Sequence, residues 1–159
     1  VAIGTNTAPS EVLPTRDGET LYVSLRNEGT IRTIDIDSFT VVGTPLPVGT
    51  QPESLILTPG ERTLIVSLRG SPARLAFVDT RTMQLAKTLD LAATGTFGNL
   101  AAASDDGRHI YATFDATAGS FGGLVKVDAI RRTIIDTFVY AETGRPHGVT
   151  FVRGQRGRR

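Results

Sequence analysis

Short apolar runs of five to nine residues recur along the chain, each bounded by turn-forming residues. Leu21–Arg26 reads LYVSLR, and LIVSLR returns 43 residues later at Leu64–Arg69. A periodicity of this length is the mark of a repeat architecture. Three longer stretches align around these runs: TRDGETLYVSL (15–25), TPGERTLIVSL (58–68) and SDDGRHIYATF (104–114). A second aligned unit follows each: TIDIDSFTVV (33–42), FVDTRTMQLA (77–86) and KVDAIRRTII (126–135). Each repeat therefore predicts four strands. The first covers 11–15, 54–58, 99–104 and 148–152; the second 20–26, 63–69 and 109–115. The third covers 30–36, 74–80 and 123–129; the fourth 40–48, 84–91 and 133–140. Their enrichment in Val, Ile, Leu, Thr, Tyr and Phe suits extended structure.

Turn chemistry separates the segments. Asp17-Gly18 and Asp106-Gly107 are hairpin signals between first and second strands. The second repeat has Pro59-Gly60 there. One stretch competes with this reading: ARLAFVDTRTMQLAKTLDLA (73–92) is rich in helix formers. Its alignment with two strand-like copies assigns it to strands. Four antiparallel strands repeating every 43 to 48 residues predict an all-β fold of β-propeller blades. One blade cannot bury both of its faces, which is why the pattern recurs. The blades are expected over 1–152, as repeats 4–48, 49–92 and 93–140 with a partial fourth at 141–152. Residues 153–159 are expected to form a basic, disordered tail. Val1 to Ile3 reads as the end of a fourth strand of a preceding repeat.

These residues resemble the YVTN-type β-propeller repeats of bacteria and archaea. Thr15-Arg16-Asp17-Gly18 and Ser104-Asp105-Asp106-Gly107 stand at the SPDG position of that pattern. Tyr22-Val23-Ser24-Leu25 stands at YVTN, and Phe77-Val78-Asp79-Thr80 at VIDT. Arg145-Pro146-His147-Gly148-Val149 matches the start of a blade. The Asn of YVTN is replaced by Leu25, Leu68 and Phe114, and the third repeat carries the insertion DATAGSFGG (115–123). The resemblance implies a periplasmic or extracellular binding protein and names no ligand. About three and a half repeats make a partial or open ring, where closed propellers have about four to eight blades. Either the chain is a piece of a longer propeller, or copies assemble as a homo-oligomer that closes the ring.

Composition narrows the function classes. The chain has 159 residues, 40% hydrophobic and 21% charged, in the range of a globular domain. No apolar run approaches the roughly 20 residues of a membrane helix. There is no Cys, so disulfides and thiolate metal sites are excluded. Net charge is +1, but Arg153, Arg156, Arg158 and Arg159 crowd the end; without those four, acidic residues outnumber basic ones 16 to 13. The basic signal is thus a short terminal run, and no aromatic nucleic-acid pattern accompanies it.

In a four-stranded meander, the loop entering the first strand and the loop joining strands two and three share one face. The entering loops are TNTAPSE, VGTQPES, TGTFGN and TGRPHG. Ser10, Glu53, Asn99 and His147 follow their Pro or Gly and are expected to converge at the mouth of the channel. Arg26 and Arg69 end second strands on the same face, with Arg145 nearby. Such a ring of polar groups suits an acidic small molecule, a peptide or a carbohydrate. The expected function is non-catalytic binding of a protein, peptide or small-molecule ligand on this loop face. The alternative is a propeller enzyme or enzyme subunit, lactonase-like or quinoprotein-associated, with its chemistry at the channel mouth. No catalytic residue, metal site or cofactor is assigned. His109 and His147 fall at opposite ends of the blade, and no G-x-S-x-G or P-loop is present. Asp105-Asp106 reads as a hairpin turn rather than a carboxylate pair. Asp35 and Asp37 read as two residues on one strand face, with Asp35 repeating as Asp79 and Asp128 in a structural role.

Overall fold

The computed structural model describes residues 2–5, 7–91, 98–114 and 122–139. They form twelve strands. The first sheet contains β1 (Pro9–Pro14), β2 (Thr20–Leu25), β3 (Thr30–Asp35) and β4 (Thr40–Pro47). The second contains β5 (Pro52–Leu57), β6 (Thr63–Leu68), β7 (Arg74–Asp79) and β8 (Gln84–Asp90). The third contains β9 (Gly98–Ala103), β10 (His109–Phe114), β11 (Gly123–Asp128) and β12 (Thr133–Val139). Each is an antiparallel meander in sequence order. The helix-prone stretch 73–92 forms β7 and β8, because tertiary pairing overrides a weak helix preference. The twelve strands predicted between residues 11 and 140 are present in the expected order, and most bounds agree within a residue; the expected strand 148–152, the partial repeat 141–152 and the tail 153–159 lie outside the described residues. The first strands begin earlier than expected, at Pro9, Pro52 and Gly98.

The three sheets pack face to face as propeller blades, forming an arc. First strands of successive sheets touch, β1 on β5 and β5 on β9, while the fourth strands β4 and β8 meet sparsely. The sheets thus fan outward from the inner strands β1, β5 and β9. The outer strands show it: every residue of β12 is exposed, and nearly every residue of β8.

Strand alternation gives each sheet a forward face, toward the next sheet, and a rear face, toward the preceding one. Tyr22 and Ile31 of the first forward face pack on Leu64, Val66, Leu68, Ala76 and Val78 of the second rear face. Ile65, Leu75 and Phe77 of the second forward face pack on Ile110, Ala112, Phe114, Val125 and Val127. This is the physical reason for the repeated LYVSLR and LIVSLR: alternate residues of the second strand feed two different inter-sheet layers. The links between blades are buried in the same layers, Val48 in one and Leu91 in the other. Ile3 takes the equivalent place on the rear face of the first sheet, against Val23, Leu25 and Ile34. Gly4 and Gly49 follow their link residues with the same φ of 130°.

The turns explain five of the sixteen acidic residues. Asp17 accepts from the Thr15 hydroxyl at 2.5 Å and Asp106 from the Ser104 hydroxyl at 2.6 Å, closing the hairpins between first and second strands. Asp35, Asp79 and Asp128 cap the turns between third and fourth strands, accepting from the backbone N–H of Ser38, of Arg81 and Thr82, and of Ile130 and Arg131. Asp35 is thus structural, as its repetition suggested. Asp37 lies in the turn beyond the end of β3, which corrects its expected place on a strand face beside Asp35.

Hydrogen bonds from these turns hold all five carboxyls below the ordinary aspartate value. The Thr15 hydroxyl is the main cause for Asp17, the Ser38 hydroxyl for Asp35 and the Ser104 hydroxyl for Asp106. The backbone of Thr82 leads for Asp79 and that of Arg131 for Asp128. A depressed carboxyl contributes stability above its unfolded value, about 3.9, and loses it as pH falls through the lower folded value. The melting temperature is therefore expected to hold from neutrality to about pH 5 and to fall steadily below about pH 4. Asn at both Asp79 and Asp128 should flatten part of that fall. An unchanged profile in the double variant, followed by circular dichroism, would refute this origin.

Candidate ligand-binding site

The inner strands do not run straight. Between Pro9 and Val12 the β1–β2 register slips, and it slips again between Pro52 and Leu55 and between Gly98 and Ala101. Each slip is a β-bulge, which bends a strand and re-aims its side chains. Ser10 and Glu53 sit in these bulges rather than in the entering loops, which corrects their predicted position. A small hydroxyl holds each of the first two bulges. Ser24 Oγ accepts from Glu11 N–H at 2.9 Å, and Ser67 Oγ accepts from Ser54 N–H at 2.9 Å. The Ser of LYVSLR and LIVSLR is therefore the pin of the neighbouring strand. Both are buried, as is Thr113 at the same place in β10.

The bulges bring four of the predicted residues together across two blades. Arg26 Nη2 lies 2.7 and 2.8 Å from the two carboxylate oxygens of Glu53, and 3.1 Å from Ser10 Oγ. Ser10 Oγ also donates to Glu53 at 3.4 Å, and Arg69 Nη1 stands 3.6 Å from the same carboxylate. The Glu53 side chain is only 13% exposed, whereas Arg26 and Arg69 keep 40% and 37% of theirs. One inner carboxylate therefore holds two guanidinium groups at the surface, leaving the cluster with one net positive charge. Arg26 Nε is buried without a hydrogen-bond partner among the described residues, so a donor beside the cluster is unused. Asn99 falls in the corresponding bulge of β9 by backbone position. Its side chain, and all of His147 and Arg145, lie outside the described residues.

Beside Arg26 opens a cleft of about 610 Å³. Arg26 to Gly29, joining β2 to β3, line one side; Pro47, Gly49, Thr50 and Gln51, leading into β5, line the other. The two kinds of loop expected to share a face do so. The floor is a close backbone approach: Gly29 O accepts from Val48 N–H at 2.9 Å and Gly49 N–H at 3.3 Å. Gly29 has a φ of 68°, and a Cβ there would stand 2.5 Å from Gly49 O. Glycine is required at that point, and Ala would break the floor of the cleft.

One participant escaped the sequence reading. Glu11, half-buried in the first bulge, accepts from Leu55 N–H of the next blade at 2.5 Å. Burial pushes its carboxyl above the ordinary value, against the Leu55 N–H and Ser54 hydroxyl bonds that pull it down. The signal in sequence was a carboxylate opening the otherwise apolar strand EVLP. A second hollow of about 390 Å³ lies at the turn end, lined by Arg62, Asp79 and Arg81. Its carboxylate is already engaged by the turn that it caps.

His109 opens β10, at the turn end of the blade and away from this cluster. Among the described residues, no group of three or more His, Asp or Glu is placed to hold a metal ion. No helix among them is long and apolar enough to cross a membrane.

No family model matches the chain, and no curated protein does either. Among solved structures, hydrazine synthase of Kuenenia stuttgartiensis is similar over 87% of this chain, with 16% identity and a TM-score of 0.49. The match covers 51% of that protein's chain, so this chain spans about half its length. A likeness of that degree carries no argument about chemistry.

Proposed function

We propose that the chain is a non-catalytic binding module of YVTN type that works outside the cytoplasm and takes a small anionic ligand on its loop face. The observation that supports this reading is the pair of half-exposed guanidinium groups, Arg26 and Arg69, gathered on one inner carboxylate at the edge of the cleft. Glu53 orients both arginines, and the cluster retains a net positive charge. Guanidinium is the group best shaped for bidentate recognition of a carboxylate. Glu53 itself is tied to two cations and a hydroxyl, an arrangement that positions arginines rather than freeing a base.

Titration calorimetry with citrate and with a tetra-aspartate peptide, at low chloride, tests the reading. Saturable binding of at least one probe is expected. Arg26→Ala should weaken it about tenfold or more, since a hydrogen bond to a charged group contributes about 1.5–3 kcal/mol. Arg69→Ala should weaken it as well. Heats that are equal in the wild type and in the Arg26→Ala/Arg69→Ala variant would refute the site. Turnover of a lactone by the wild type, lost in the same variant, would favour the enzymatic alternative.

A further inference from the structure

Two inter-sheet layers are complete within the described residues, and each has a forward face, a rear face and a link residue. The third cluster has only half of this. Val23, Leu25 and Ile34 form a rear face and Ile3 lies on it as the link, but no described sheet stands opposite. Val12 shows the consequence: it is 53% exposed, whereas Leu55, its equivalent in the second blade, is 3% exposed. Arg32 occupies the position of the fully buried Ala76 and Val125 on this same face, and its Nε is buried without a partner. The forward face of the third sheet is the opposite half, carrying Tyr111, Leu124 and Lys126 where the second sheet carries Ile65, Leu75 and Phe77.

One pair of positions identifies what fits. The turn between third and fourth strands holds a residue at left-handed φ in every blade: Phe39 at 51°, Met83 at 50° and Arg132 at 56°. In the complete layers this residue reaches back to the preceding sheet. Met83 packs into the layer between the first two sheets, and the Arg132 guanidinium sits 5.7 Å from the centre of the Phe77 ring. Phe77 is a forward-facing residue of β7, opposite Lys87, which itself reaches across to Arg132 O at 2.8 Å. On the end faces the same two positions hold Lys126 and Phe39. The cation and the aromatic ring have exchanged places. Phe39 is 57% exposed. Asp136, opposite Lys126 on the same forward face, supplies a carboxylate toward the face that carries Arg32.

We infer that the two end faces bind one another head to tail between copies of this chain, with Lys126 of one copy set against Phe39 of the next. Such a contact is heterologous, and two copies joined by it twice close into a ring. The cation–aromatic pair repeats the one between Arg132 and Phe77, with Lys126 reaching across from the Tyr111 ring of its own sheet, 6.0 Å away. This inference does not depend on the anion site, since neither residue lines the cleft.

Light scattering on a sizing column reads the outcome directly. The wild type is expected as a discrete species of twice the 16.9 kDa chain mass. Phe39→Lys alone sets cation against cation and should shift the population to monomer. Lys126→Phe alone should weaken the dimer at least tenfold in its dilution midpoint. The double variant F39K/K126F restores one ring and one cation and should recover the dimer. Circular dichroism of each variant checks that the blades remain folded. A wild-type monomer at every concentration would overturn the inference, including one whose end face is covered by the chain's own residues beyond Val139. An oligomer indifferent to both substitutions would also overturn it.

Discussion

Phe77→Ala is expected to be the most damaging single substitution in the described structure, costing about 3–5 kcal/mol. Phe77 is fully buried in the layer between the second and third sheets. Its ring touches the third sheet's core and lies beneath Arg132, so truncation removes buried apolar area and the cation's aromatic partner together. The surrounding residues are held by strand pairing on both sides, and they can close the cavity only in part. In a repeat architecture each unit contacts only its neighbours, so the damage should be local at first. The third sheet should lose its support while the layer between the first two, centred on Leu64 and Val66, persists. Hydrogen exchange should therefore report faster exchange in β10 and β11 well before β2 and β3. At about 2–4 °C per kcal/mol for a chain of this size, the first melting step should move down by more than about 6 °C. Phe77→Leu, which keeps most of the volume, should lose much less. A variant that melts with the wild type and exchanges uniformly would show that the blades do not depend on this layer.

The fold was legible because the repeat speaks several times. A single copy of FVDTRTMQLA is ambiguous between helix and strand. Three aligned copies are not, since the β-branched residues of TIDIDSFTVV favour strand over helix and all three copies must serve the same kind of layer. The turns were legible for the same reason: Asp35, Asp79 and Asp128 recur at places where turn N–H groups need an acceptor. The bulges were not. A bulge adds one residue without changing composition, and its cause is a partner on another strand, the hydroxyl of Ser24 or Ser67. That displacement is what carries Ser10 and Glu53 from the entering loops into β1 and β5. Glu61 is a smaller case. In the second hairpin the left-handed position belongs to Glu61, at a φ of 53°, and not to Gly60, because Glu61 stands at the place of Gly18 and Gly107 while Gly60 stands at that of Asp17 and Asp106. Glu61 is kept there by a bond that only the assembled blades reveal: its carboxylate accepts from Arg16 N–H of the first blade at 2.9 Å. The convergence of Ser10, Arg26, Glu53 and Arg69 was legible as a face but not as a cluster. Only the bulge decides that Glu53 points back to Arg26 of the preceding blade.

Glu53→Ala should turn that cluster from a closed ion pair into an open anion site. The substitution removes the only carboxylate within reach of Arg26 Nη2 and Arg69 Nη1 among the bonds described, and it leaves two cations facing the same space. Losing a charge-assisted hydrogen bond and exposing like charges to one another should cost about 1.5–3 kcal/mol. The exposure of both arginines keeps the figure toward the lower end, because water and salt screen them. The test lies in what restores the loss. Acetate or formate is small enough to fill the space of the missing carboxylate, so millimolar carboxylate should raise the melting temperature of Glu53→Ala well above its effect on the wild type. Chloride at the same ionic strength should do less, since it offers no bidentate geometry to a guanidinium. Arg26→Ala added to Glu53→Ala should abolish the difference between carboxylate and chloride. If carboxylate stabilises the variant and the wild type equally, the two arginines do not form an anion site, and Glu53 serves the packing of two blades alone. If rescue occurs, an outside carboxylate can do in the variant what Glu53 does in the wild type. The half-exposed Arg26 guanidinium, which lines the cleft, is then chemically able to take a second anion from that side.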